Sequence, residues 1–314
     1  MSIRTRTIFF TLFCSAAIFV IWALYLQQTK TPLKSSFAPL FQLFGHSTKA
    51  IDSLLARIIP IDAIDEAELG QILAARYERS ANKQDPAYRY LNDLVRHQSA
   101  FLRKPFAYQV YVLDWQAPNA MALPGGVILV TQGLLRVVTS EAELMSVLAH
   151  ELGHVERGHC VEAVKFELLS RKIARISYGK IADIAVDLLV RHSFSKTLED
   201  QADEYAFTLL SESVYDPRGI GAAFGQLLEY ERGSHHAQRR AHADPLRDYF
   251  MSHPPLELRR EKFQQRAEAW WRAHPSERRF VGRDNLILRR SFYSGYQNAA
   301  EWIPRVSQDG VRRT

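Results

Sequence analysis

Residues 140–154, Ser140-Glu141-Ala142-Glu143-Leu144-Met145-Ser146-Val147-Leu148-Ala149-His150-Glu151-Leu152-Gly153-His154, decide how the rest of this chain is read. Ser140 with Glu143 three residues on is a capping box: the serine oxygen accepts from first-turn amides and the glutamate reaches back, so a helix starts here. Leu144, Val147 and Leu148 follow at helical spacing and carry it to about Arg157 or Gly158. On that helix His150 and His154 lie one turn apart and project from one face, where they can chelate a single tetrahedral zinc ion. Glu151 lies beside that face. It is placed to hold a water acidified by the metal, take its proton during attack on a peptide carbonyl, and pass that proton to the leaving amine. Two buried structural histidines are the alternative, and the capped, apolar-periodic setting favours the metal.

A catalytic zinc needs a third protein ligand. One pattern takes a histidine ten residues after the first with a glycine at seven, but His159 stands at nine and Gly158 at eight, so that register fails. The other source is Glu199-Asp200-Gln201-Ala202-Asp203, on a helix that begins near Ser195 to Leu198 and ends before Asp216-Pro217. Glu199 can complete a two-histidine, one-glutamate site that leaves a position for water. Asp203, one turn on, can accept the distal N–H of a ligand histidine and fix its tautomer. By themselves Glu199, Asp200, Asp203 and Glu204 read as a solvated acidic face; beside the histidine pair, the ligand reading is preferred.

Outward from this centre, apolar residues between about 65 and 100 recur at three and four, predicting two helices broken at Asp85-Pro86. Tyr108 to Leu113, Asn119 to Leu123 and Val127 to Val130 read as short strands, the last pair joined at Gly125-Gly126, and together they predict a small antiparallel sheet. Another helix is expected over much of 161–192, a polar loop over 231–248, and a helix from Leu256 to Trp271. The fold class is therefore α+β and mostly helical.

Residues 8–26 are nineteen uncharged residues preceded by Arg4 and Arg6, nearly long enough for the ~30 Å of a bilayer core. A membrane anchor is expected there rather than a cleaved signal, since Trp22 to Leu26 offers no small-residue cleavage site. The flanking arginines favour a cytoplasmic N-terminus and an exported catalytic domain; the absence of acidic residues before Asp52 keeps a mitochondrial inner-membrane address as the alternative. Two cysteines, Cys14 and Cys160, exclude a disulfide framework and a cysteine zinc site. The net charge of +6 gathers toward the C-terminus, where residues 255–314 hold thirteen Arg or Lys against seven Asp or Glu. No nucleic-acid module surrounds them, so they read as a solvated basic face and no nucleic-acid partner is expected.

With these residues in view, the chain resembles the zinc metallopeptidase family numbered forty-eight, which includes the CAAX prenyl endopeptidases, HtpX and the periplasmic protease BepA. The resemblance covers about residues 60–265. It rests on Glu68-Leu69-Gly70, on Asn119 to Gly126 with Gly133-Leu134-Leu135, on His150 to His154, on Ser195 with Glu199 to Asp203, and on His253-Pro254 followed by Arg259. It implies a gluzincin fold, one zinc ion on His150, His154 and Glu199, Glu151 as base, and Asp203 in support. It also implies that Asn119 to Leu123 is an edge strand flanking the cleft, whose Asn119, Ala120, Met121 and Ala122 can pair with an extended substrate backbone. His253 and Arg259 would lie near the zinc and stabilise the developing oxyanion, or His253 would cover the metal and hold the enzyme latent. His274-Pro275 is a second such dipeptide, with its arginines out of step. Family members often carry arginine where this chain has Gly158.

The expected organisation is an anchor with its flanks at 1–35, a zinc metallopeptidase domain at 36–270 and a basic C-terminal extension at 271–314. About forty residues follow the peptidase domain, so no repeat domain of the BepA kind is expected. A single span argues against prenyl-protein processing and for an anchored endopeptidase acting on unfolded or misassembled proteins of a cell envelope. The alternative is a latent or non-catalytic zinc protein of the same fold that binds such chains, and the presence of Glu151 weighs against it.

Overall fold

A computed structural model describes residues 63–165, 168, 178–191, 194–235 and 256–303. The expected anchor at 8–26, residues 236–248 of the expected loop and His253 lie outside the described residues, while residues 231–235, expected as loop, close the helix Gly219–His235; among those described, no helix is long and apolar enough to cross a membrane. Helices α1 (Ala63–Glu78) and α2 (Pro86–Arg96) break where expected. The Asp85 side chain accepts from Ala87 N at 2.8 Å, and Pro86 occupies the first turn, where its missing N–H costs nothing.

Three strands follow, β1 (Gln109–Leu113), β2 (Ala120–Leu123) and β3 (Val127–Thr131), and their order is β1-β3-β2. The β2–β3 pair is antiparallel, as the Gly125-Gly126 turn demands, but β1 runs parallel to β3, so the expected antiparallel sheet is a mixed one. The link from 114 to 119 explains this. Thr131 Oγ1 donates to Ala117 O at 2.8 Å and Gly133 N to Trp115 O at 2.8 Å, so the link passes over the end of β3 and leaves β1 on its far side. The central strand Val127-Ile128-Leu129-Val130-Thr131 is buried throughout, which its unbroken apolar run requires. At the turn, Gly125 (φ 76°) approaches Gly70 of α1 so closely that a Cβ would stand 2.4 Å from the Gly70 Cα. Two distant glycines of the sequence are thus one contact.

After α3 (Gln132–Val137) comes α4 (Glu141–Glu156), the axis of the molecule, with every residue from Glu141 to Val155 buried. Ser140 caps it as predicted, Oγ accepting from Glu143 N at 3.2 Å, whereas the Glu143 carboxylate reaches back to Thr139 N at 2.7 Å, one residue before the cap. Leu144, Leu148 and Leu152 are each fully buried, contributing about 1.5–3 kcal/mol apiece. Around α4 stand the short α5 (His159–Ala163), α6 (Tyr178–Arg191), α7 (Lys196–Glu212, capped by Ser195), α8 (Gly219–His235) and α9 (Leu256–Ala273). Of the helix expected over much of 161–192, the described residues give α5, which ends at Ala163 with Val164 as its cap, and α6 over Tyr178–Arg191.

The segment beyond α9 belongs to the same core. The expected boundary at residue 270 falls inside α9, and strand β4 (Arg279–Phe280), helix α10 (Arg283–Leu288) and strand β5 (Trp302–Ile303) follow. Phe280, Leu286 and Phe292 pack into the main apolar cluster. The carbonyls of Val281 and Gly282 accept the first amides of α4, Ala142 N and Glu141 N, both at 3.0 Å. These otherwise orphaned donors are thereby satisfied.

Candidate metal centre

Gly153 sets how closely α4 and α7 meet. A Cβ there would stand 3.1 Å from both the Cα and the carbonyl oxygen of Ala202, so the absent side chain lets the two helices touch by backbone. That contact brings Glu199 against the histidines. His150 Nε2 and His154 Nε2 are 3.0 Å apart; Glu199 Oε2 lies 3.6 Å from the first and Oε1 3.4 Å from the second. One ligand atom from each residue falls within 4.8 Å of the others, and all three side chains are buried. Two imidazole nitrogens turned toward one another and toward a carboxylate form a donor set suited to a zinc-like dication.

The acidic stretch of α7 divides by face. Asp203, one turn beyond Glu199, accepts His150 Nδ1–H at 2.9 Å; a carboxylate can only accept, so the His150 proton sits on Nδ1 and leaves Nε2 for the metal. Arg259 of α9 grips the same pair of acids: Nε and Nη2 donate to Asp203 at 2.8 and 2.7 Å, and Nη1 lies 2.9 Å from Glu199 Oε2. Its guanidinium also lies over the Phe224 ring, 4.5 Å from the centroid. Burial by itself would raise the Asp203 pKa, but the His150 hydrogen bond and the Arg259 charge outweigh it and hold the carboxyl below its ordinary range. Asp200 and Glu204 point the other way, to Lys262 and Arg266 at the surface of α9. The solvated-face reading is thus right for two of the four acids.

Glu151 is 1% exposed, and its Oε2 accepts Ala122 N–H of β2 at 2.8 Å. The strand expected beside the site is there and is an edge of its sheet. Ala120 and Ala122 are nevertheless buried at 1% and 4%, packed toward α4, while Asn119 and Met121 are partly exposed and, with Trp115, line a shallow depression. Arg259 lies beside the metal-site residues, with its nitrogens on the Glu199 and Asp203 carboxylates. His274 stacks on Trp270 and its Nδ1 lies 2.8 Å from the Trp270 carbonyl at the end of α9, a local capping contact.

Sequence reasoning noted His159 only for failing a ligand register and for following Gly158 where family members often carry arginine, and it passed over Gln201, which follows Asp200. His159 Nδ1 lies 3.0 Å from His154 Nδ1, and its Nε2 lies 2.9 Å from Gln201 Oε1. Phe194 stacks on His154 with centroids 4.2 Å apart. Burial lowers the His159 pKa and favours its uncharged ring. A histidine directly after Gly158, just past the end of the helix that carries His154, was the available signal.

The sequence model of peptidase family M48 matches residues 84–267, more than half of the chain. The mitochondrial metalloendopeptidase OMA1 of Arabidopsis thaliana is 28% identical over 166 residues, covering 52% of this chain and 32% of that protein. The metalloprotease LoiP of Escherichia coli (strain K12) is 31% identical over 140 residues, covering 41% of this chain and 54% of that protein. The beta-barrel assembly-enhancing protease of the same strain is 25% identical over 167 residues, covering 46% and 33% respectively. The chain thus spans between a third and about half of the length of these relatives.

Proposed function

The chain belongs to peptidase family M48, and on that premise we propose that it is a zinc-dependent endopeptidase, anchored to a membrane through residues 8–26, that hydrolyses internal bonds of unfolded or misassembled proteins. The observation that carries this reading is the convergence of His150 Nε2, His154 Nε2 and the Glu199 carboxylate beside a buried Glu151. One zinc ion held there would supply Lewis acidity to a water and to the scissile carbonyl. The Glu151 carboxylate accepts the proton of the attacking water and delivers it to the leaving nitrogen. Asp203 fixes the His150 tautomer, and Arg259 holds the Glu199 and Asp203 carboxylates in place. An extended substrate lies along the β2 edge at Asn119 to Ala122, which gives affinity with little sequence demand. Because Ala122 N–H is already taken by Glu151, pairing at Ala122 requires Glu151 to turn toward the water. His253 serves beside the metal, as transition-state donor or as plug.

The anchor, carrying a peptidase domain that includes the C-terminal segment, suits work in an envelope, periplasmic by the charge flanking residues 8–26. A mitochondrial inner-membrane site is the alternative, in keeping with one relative's name. The near-complete burial of His150, Glu151, His154 and Glu199 favours a second reading, a latent or chaperone-like zinc protein. Casein cleavage by the full chain in detergent, wild type beside Glu151→Gln, separates the two. Cleavage by wild type that falls about 10²–10⁴-fold in the variant, with zinc retained, supports the peptidase. Equal rates refute the assignment of Glu151, and zinc without cleavage in either protein points to the latent form.

A further inference from the structure

We propose that His159 is a positioning residue for the metal centre: through the chain His154–His159–Gln201 it locks His154 in the tautomer that leaves Nε2 for the metal. The inference rests on the metal-centre reading above. His150 Nε2 and His154 Nε2 face each other at 3.0 Å, so if both lone pairs bind one ion, both histidines carry their proton on Nδ1. For His150 the acceptor is the Asp203 carboxylate. For His154, His159 Nδ1 lies 3.0 Å from Nδ1.

An imidazole can accept at Nδ1 only if its own proton is on Nε2. That proton has an acceptor in Gln201 Oε1, at 2.9 Å. The chain is thereby polarised in one direction, from His154 through His159 to the amide oxygen. Turning the Gln201 amide around would reverse every link and put a proton on His154 Nε2, where the metal should be. The left-handed turn at Gly158 (φ 76°) carries the backbone from α4 into α5 and sets His159 back against His154. Both histidines are buried, at 0% and 4% exposure, and Phe194 stacks on His154. A neutral acceptor also suits the charge of the site. A dication with Arg259, Glu199, Asp203 and Glu151 already sums to zero, and a carboxylate at position 159 would leave a net buried negative charge.

The test measures the zinc dissociation constant by chelator competition, together with the melting temperature of the metal-free form, on the full chain in detergent. His159→Ala should weaken zinc about 10–100-fold, the range for losing a ligand's supporting partner, with little change in the metal-free melting temperature. His159→Asn, whose amide oxygen can accept from His154 Nδ1–H, should recover most of that loss. Gln201→Leu, at a residue whose backbone is on the exposed side of α7, should weaken zinc severalfold and cannot be dismissed as a folding defect. Wild-type affinity in both His159→Ala and Gln201→Leu overturns the proposal. So does a His159→Ala loss that Asn fails to rescue and that tracks a fall in metal-free melting temperature, which marks a merely structural role. If wild type itself binds no zinc, the metal-centre reading falls and this inference with it; if wild type binds zinc and the variants match it, only this inference falls.

Discussion

At the N-terminal end of α4, Glu141 is fully buried and its Oε1 accepts from the Tyr215 hydroxyl at 2.8 Å and the Phe292 amide at 2.9 Å. Beside the C-terminal end of the same helix, Asp203 is as deeply buried but accepts from His150 and from the guanidinium of Arg259. Burial pushes the Glu141 carboxyl up to about 7, despite those two neutral donors. The same burial at Asp203 is overcome, and its carboxyl is held below the ordinary range. Depth in the core therefore does not by itself set the direction in which an acid shifts here; at Asp203 the His150 hydrogen bond and the Arg259 charge outweigh it. One end of the helix is a joint that ties α4 to the end of α7 and to the C-terminal segment. The other is a charged site that the fold has to hold open for chemistry.

Removing the cation should break the contrast most strongly. Arg259→Leu leaves Glu199 and Asp203 buried without their countercharge, and the metal-free protein should lose about 3–5 kcal/mol in denaturant unfolding. Bound zinc supplies positive charge at the same place, so the loss should shrink when the metal is added. An equal loss in both forms would mean that Arg259 serves packing against Phe224 rather than the acids. Glu141→Gln sharpens the other side. A carboxyl whose folded pKa is raised binds protons more tightly when folded, so its contribution is whole below about pH 4.5 and is lost as pH rises to about 7. Wild type should therefore lose stability relative to Glu141→Gln across that window, by on the order of 3 kcal/mol, and run parallel to it above. A difference that stays flat from pH 4.5 to 7 would show that Glu141 titrates as an ordinary surface acid.

The helix that carries the histidines was legible in the sequence because its cap, its apolar period and its motif agree; Ser140 stands as the cap expected, and α7 begins within the expected bounds, capped by Ser195. Glu199 and Asp203 were legible as a pair because a four-residue spacing puts them on one helix face. The pairing of β1 was not. The β-branched and aromatic content of Tyr108 to Leu113 shows a strand, while its partner depends on the path of residues 114–119, which Thr131 and Gly133 hold by hydrogen bonds that no pattern announces. Arg259 was placed near the metal by resemblance, but its role depends on acids 56 and 60 residues earlier in the chain. The C-terminal segment read as an extension because Phe280, Leu286 and Phe292 are separated by charges and show no period; only the fold brings them together.

The most direct test of the centre is the zinc content of the full chain after dialysis against buffered micromolar zinc, wild type beside Glu199→Ala. The assignment of His150, His154 and Glu199 predicts one zinc per wild-type chain and a large fall in occupancy in the variant. A wild type without zinc, or a variant that holds it as tightly as wild type, would contradict it.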